Sequence, residues 1–296
     1  MVCSNKVNKL NPILKNGAGV TGHLSNAISK RTQEILTNQG DCLSSHYFDL
    51  FRQKALDKDA HRRGMAVAKL CALPSRKSAQ ILQEVIEKYP DDKSTRRAAI
   101  SGLVRMGDKG DLAMARLALD HRNDFCAEIV DILEEHEVSD GALTKNQRRL
   151  LESILTHPLS AAGRDRALKY FSSRKNPPIG KFYREATCSK PLCPKAVKED
   201  MVRGLFMTYQ NQYDRYKTFA QSTMTPHEKR QVINNMLTCR YMLEKISRSH
   251  TPIRDCARRY LEKLPPMDRS VRQYASMLGD VGIFKLASET IKATPA

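Results

Sequence analysis

Arg240, Lys245, Arg248, Arg254, Arg258, Arg259, Lys263, Arg269 and Arg272 crowd one stretch near the end of this sequence. Arginine outnumbers lysine there. A guanidinium is a planar fork of donors that matches carboxylate or phosphate, so this composition points to recognition of an anion. Arg254 and Arg258 are four apart and share one face of a helix. Arg248 falls where a helix should end, and a cation there also complements the helix dipole. Upstream, Tyr209, Tyr213 and Tyr216 interleave with Arg203, Arg215 and Lys217. Aromatic rings among cations are a platform on which nucleic-acid bases can stack. The same spacing also makes the seam of a packed helix, with hydroxyls at its wet edge, and its regularity favours that core reading.

The remaining candidates for chemistry dissolve one by one. Cys188 and Cys193 form the one close cysteine pair, but zinc needs two further ligands at matching spacing and no second pair follows. Lone residues such as Cys239, His227 or His250 would have to come from afar. The other thiols are scattered, so the pair reads as ordinary loop cysteines. Glu134, Glu135, His136 and Glu137 are consecutive, and consecutive residues fan outward from a helix instead of converging on a metal. His121 and His136 fall at helix ends beside acidic residues. No histidine stands with a nucleophile and a carboxylate in a local motif. Gly107 to Gly110 lacks the Lys-Ser/Thr ending of a phosphate loop, and no strand precedes it. The expectation is a protein that is not an enzyme, with no catalytic residue, cofactor or metal.

The elements that carry these residues are helices. Aromatic content is 6% and Trp is absent, so the core must come mainly from Leu, Ile, Val, Ala and Met, which suit helices. Tyr47, Phe48, Leu50 and Phe51 open one helix; residues 61–71 and 77–89 follow, divided by Leu73-Pro74-Ser75 and stopped at Pro90-Asp91-Asp92. Arg96-Arg97 then repeats Arg62-Arg63 after thirty-four residues, and Arg164-Asp165-Arg166 comes about two such periods later. Gly107–Asp111 reads as a turn, Thr144 with Gln147 as a capping box, and Thr225-Pro226-His227-Glu228 as a strong helix start. Helix pairs at a fixed period bury their faces by stacking on neighbours. The segment Ser94–Asp120, with Arg-Arg-Ala-Ala-Ile-Ser-Gly-Leu as its first helix, resembles a HEAT or armadillo-type repeat, and the resemblance covers roughly 61–172. It implies an α-solenoid of helical hairpins with a groove for a protein partner.

Residues 173–196, rich in Pro and Cys, interrupt the pattern and read as a loop or linker. Beyond them Val202, Phe206, Tyr209, Tyr213, Tyr216 and Ala220 alternate four and three, as do Val232, Met236, Cys239, Leu243 and Ile246. Two such seams should pair antiparallel. A shorter helix from Thr251-Pro252 to Leu264 and a last helix or two from Met267 to about Lys292 complete the chain. The organisation expected is therefore a flexible polar segment over 1–44, a helical-repeat domain over 45–172, the linker, and a basic antiparallel helical bundle over 197–296. The fold class is all-α.

Of the formal net charge of +18, residues 161–296 supply +14, from twenty-six Lys and Arg against twelve Asp and Glu. Such a half repels itself unless an anionic partner compensates. The sequence has no apolar run of the roughly 18 residues that a membrane helix needs. Eight scattered cysteines suit free thiols in a reducing, cytoplasmic compartment. The polar N-terminus resembles in composition the export signals of bacterial effectors delivered by needle-type secretion systems, which would make the chain a scaffold in a host cell. The first functional reading is a non-enzymatic interaction protein whose basic C-terminal half binds an acidic partner. The alternative is an RNA- or DNA-binding protein of nucleocapsid or regulatory type.

Overall fold

Short polar residues start the helices. Asp59 accepts hydrogen bonds from the His61 and Arg62 amides, Ser75 from Ser78, Asp92 from Thr95, Thr144 from Gln147 and Thr225 from Glu228. Each satisfies amides that have no partner inside the helix. Both capping boxes read in the sequence are closed: Gln147 and Glu228 reach back to the backbone of Thr144 and Thr225.

The computed structural model describes residues 45–120, 124–139, 141–188, 193–219 and 224–293. The N-terminal segment 1–44, with the helix considered near 22–38, lies outside the described residues, as do His121 and Ala220. Among the described residues there are thirteen helices and no strand, so the fold is all-α. The helices are α1 (Ser45–Ala55), α2 (Ala60–Cys71), α3 (Arg76–Lys88), α4 (Lys93–Arg105), α5 (Asp108–Ala118), α6 (Cys126–Ser139), α7 (Lys145–Leu155), α8 (Ala161–Ser172), α9 (Ile179–Thr187), α10 (Lys195–Phe219), α11 (Pro226–Arg248), α12 (Arg254–Glu262) and α13 (Arg269–Ala293). None of them is long and apolar enough to cross a membrane.

The described residues divide into two compact units, 45–109 and 110–293. In the first, α1 packs on α2 and α3, and both α2 and α3 pack on α4. Phe51, Leu70, Leu82, Ile86, Ile100 and Leu103 form its core. In the second, α8 joins α6, α7 and α10, while α10 is flanked by α9, α11 and α12, and α13 lies on α9 and α11. Ile129, Leu133, Leu151, Phe182, Tyr209, Met236 and Leu243 are buried there.

One arginine device recurs. Arg63, Arg96 and Arg164 each stand four residues after a helix N-cap, namely Asp59, Asp92 and Ser160. Each guanidinium turns back to a carbonyl two residues before its cap: Arg63 to Asp57, Arg96 to Pro90 and Arg164 to Pro158. Arg63 and Arg164 also reach forward to a carboxylate about one repeat on, Asp92 and Asp200. Arg63 and Arg164 are themselves buried. The structural equivalent of Arg63 is thus Arg96, one residue short of the offset at which Arg-Arg repeats in the sequence.

Two expectations need correction. The stretch 173–196 is not a continuous loop, because α9 occupies its middle. Ile179, Phe182 and Ala186 are buried there, and α9 packs against α10. The turn expected at Gly107–Asp111 is shorter: Gly107 alone takes a positive φ of 56°, which needs no Cβ, and α5 begins at Asp108. The helix or two expected from Met267 to about Lys292 is α13, two helical stretches joined by a kink at Gly279, whose φ of 60° and ψ of 177° are open to glycine alone.

Six described cysteines, Cys71, Cys126, Cys188, Cys193, Cys239 and Cys256, are free thiols. Cys126 and Cys239 are buried, and burial pushes the Cys126 thiol up to about 11 and that of Cys239 further.

Candidate anion-binding face

Helices α10 and α11 carry the C-terminal site, and their seam decides which side chains remain outside. They run antiparallel: Lys229, near the start of α11, holds its ammonium 5.6 Å from the Tyr216 ring near the end of α10. Tyr209, in the middle of α10, lies instead beside Arg240. All three tyrosines of the seam are buried, at 0%, 8% and 5% exposure for Tyr209, Tyr213 and Tyr216. Their rings face protein and are closed to a stacking base, so the stacking reading gives way to the core one. Burial pushes the Tyr209 and Tyr216 phenols up. Tyr209 donates to the Pro265 carbonyl at 3.4 Å, and the Tyr216 and Ser270 hydroxyls meet at 2.5 Å.

Those contacts lay the chain after α11 back along α10. Tyr260 of α12 stacks on Phe206 at 4.7 Å, Pro265 meets Tyr209, and Ser270 meets Tyr216. Ten residues of α10 separate the ends of this path, which at a rise of about 1.5 Å per residue is about 15 Å. The cations predicted to bind an anion are therefore strung along the unit.

Each has its own circumstances. Arg240 is half-buried and donates to Glu244 at 3.1 Å, so its charge is engaged internally. Arg254 and Arg258 are exposed and share one carboxylate, Asp255, at 3.4 and 3.9 Å. Arg259 is exposed and lies beside Cys256. Lys245 is exposed and lies 5.6 Å from the Tyr241 ring centroid. Arg248, Lys263, Arg269 and Arg272 are exposed and make no salt bridge among the described residues. The structure brings Arg254, Arg258 and Arg259 together on α12 and aligns Lys245 with Arg248 on α11. It sets Arg269 and Arg272 apart at the start of α13.

Other sequence candidates are absorbed by packing. Glu137 accepts from Tyr170 at 2.9 Å and pairs with Arg174. Burial, reinforced by Glu137, pushes the Tyr170 phenol up to about 12. Lys175 and the Thr225 hydroxyl push the Glu228 carboxyl down to about 2. Among the described residues no three His, Cys, Asp or Glu side chains gather as a metal set. In the first unit a groove of about 510 Å³ is lined by Phe51, Lys54, Asp57, His61, Met65 and Lys69, mixing apolar surface with charge.

The sequence reading missed an exposed apolar strip on α13. Met277, Val281 and Phe284 are 79%, 82% and 55% exposed. Val281 and Phe284, three apart, share one face beyond the Gly279 break and Met277 lies before it; the sequence carries no sign that these side chains are uncovered.

The chain matches no family model and no curated protein.

Proposed function

We propose that this chain is a non-enzymatic, helical-repeat interaction protein that binds an acidic protein partner through its basic C-terminal half. In this reading residues 45–172 form an α-solenoid of HEAT-like hairpins, and residues 197–296 form a basic antiparallel helical bundle. The recurring arginine device supports the solenoid. A cap, an arginine one turn later and a bond to the preceding turn come back at intervals of 33 and 68 residues, as stacked units of one design require. The thiols support work in a reducing compartment.

The observation that carries the binding assignment is the set of exposed cations that form no salt bridge among the described residues. Arg248, Lys263, Arg269 and Arg272 stand so among the described residues, and Arg254 and Arg258 share only Asp255. A guanidinium held at a surface without a carboxylate is free to take one from a partner. The buried tyrosines remove the stacking contribution that single-stranded nucleic acid would use.

The full chain is titrated with labelled poly-glutamate and with labelled single- and double-stranded DNA of about 20 nucleotides, each at two salt concentrations. Poly-glutamate should bind, and Arg254→Glu with Arg258→Glu should weaken it about tenfold or more with an unchanged circular dichroism spectrum. Tight DNA binding with a steep salt slope, and none to poly-glutamate, would replace this reading with the nucleic-acid one. Binding that survives the charge reversal would move the face elsewhere.

A further inference from the structure

The strip on α13 does not stand alone. The Phe284 ring meets the Tyr241 ring of α11 edge-on, with centroids 6.4 Å apart. Tyr241 in turn carries Lys245, 5.6 Å from its centroid. Tyr241, Lys245 and Arg248 follow one another at four and three residues, so they form one stripe of α11. Tyr274 donates to Asn234 at 3.1 Å, which places the first half of α13 along the same stripe further back. The result is one face with two banks. One bank is apolar: Val281 and Phe284, with Met277 exposed on the other side of the Gly279 break. The other is cationic: Lys245 and Arg248, both exposed, with Lys285 exposed next to Phe284.

Exposed apolar side chains at this density, bordered by cations, mark a place where another surface sits. We infer that this face docks an acidic amphipathic helix of a partner protein. Its apolar side chains would cover Val281 and Phe284, and its carboxylates would meet Lys245, Arg248 and Lys285. A helix presenting apolar residues at i and i+3 or i+4 can meet Val281 and Phe284 on the half of α13 beyond the Gly279 break. Charge selects this occupant. A second copy of the chain would bring its own excess of +14 in residues 161–296 and be repelled. Asp280 and Glu289 are exposed on α13, so the partner's carboxylates belong on the α11 side, where the exposed residues of the stripe, Lys245 and Arg248, are cations and Glu244 is held by Arg240. The inference rests on the proposed acidic partner and names the part of the surface that gives it specificity beyond charge.

The test is a display library of random peptides about 16 residues long, roughly four turns of helix, selected against the full chain. Enriched peptides should be net negative with apolar residues at helical spacing. Synthesised and labelled, they should lose about tenfold or more in affinity for Val281→Glu and for Phe284→Glu. Lys245→Glu with Arg248→Glu should weaken them as well. Val281 is the more exposed, so its variant keeps the test alive if Phe284→Glu disturbs folding; circular dichroism reports which variants fold. Enriched acidic peptides that bind Val281→Glu undiminished, but fail on Arg254→Glu with Arg258→Glu, would overturn this face and leave the acidic-partner reading intact. Enrichment of peptides without net negative charge, or of none, would overturn both. Vesicles containing phosphatidylserine serve as a further arm. If they bind, lose binding in Val281→Glu and displace the selected peptides, the face belongs to a membrane and the inference fails.

Discussion

Arg63 shows how much one side chain can hold. Its guanidinium donates to the Asp57 carbonyl at 2.9 Å, pairs with Asp92 and lies 4.1 Å from the Tyr89 ring centroid. The pair is nearly buried, so removing one partner leaves an uncompensated charge away from water. Arg63→Ala should cost about 3 kcal/mol in urea unfolding. Arg63 and the Thr95 hydroxyl hold the Asp92 carboxyl well below the usual carboxylate range. A depressed folded value contributes stability that is complete above the ordinary value of about 4 and is withdrawn as the pH falls from there through the folded one. Acid unfolding of Asp92→Asn should lack that part of the slope; an unchanged acid limb would show that the pair is energetically idle. The doublets Arg62-Arg63 and Arg96-Arg97 were legible in the sequence. Which member of each turns inward was not, because that depends on the cap, and the cap shifts the register by one.

Helices announce themselves unevenly. The starts of α7 and α11 were readable because a capping box is a local hydrogen-bond pattern, written in residues three apart. Helix α9 was hidden by its neighbours: Pro177-Pro178 before it and the Cys-Pro stretch after it read as breakers. A proline just outside a helix is compatible with that helix, and Pro178 stands at the N-cap. Its apolar residues, Ile179, Phe182 and Ala186, kept the helical spacing throughout. Phe182→Ala should destabilise the second unit by roughly 4 kcal/mol, measured as a shift in urea midpoint at constant slope. A loss below about 1 kcal/mol would mean that α9 is peripheral to that core. The candidate site divides in the same way. The cations were visible as residue types, while their separation into α11, α12 and the start of α13 depends on how the chain folds back along α10.

The charge imbalance belongs to the molecule as a whole. At low ionic strength the excess of +14 in residues 161–296 acts over about 30 Å, and at physiological salt over about 8 Å. Folding concentrates that excess, so screening should favour the folded state. The midpoint of thermal unfolding should therefore rise between about 10 mM and about 150 mM salt. A fall would show that the internal pairs, such as Arg164 with Asp200 at 2.7 Å, outweigh the repulsion. An acidic ligand should raise the midpoint further, and most at low salt.

The free thiols turn the protein into its own clock. Only a thiolate reacts with an alkylating reagent, and it must be reached first. Cys239 is sealed in the α10–α11 seam and Cys126 at the start of α6, while Cys188 and Cys193 are half-buried. Mass spectrometry of a timed iodoacetamide reaction should find Cys188 and Cys193 modified before Cys126 and Cys239. Cys126 and Cys239 should follow only as their helices open, so that each labelling rate reports the local cost of opening. A partner helix laid on α11 would then slow the modification of Cys239 without touching it, and binding would be read as time.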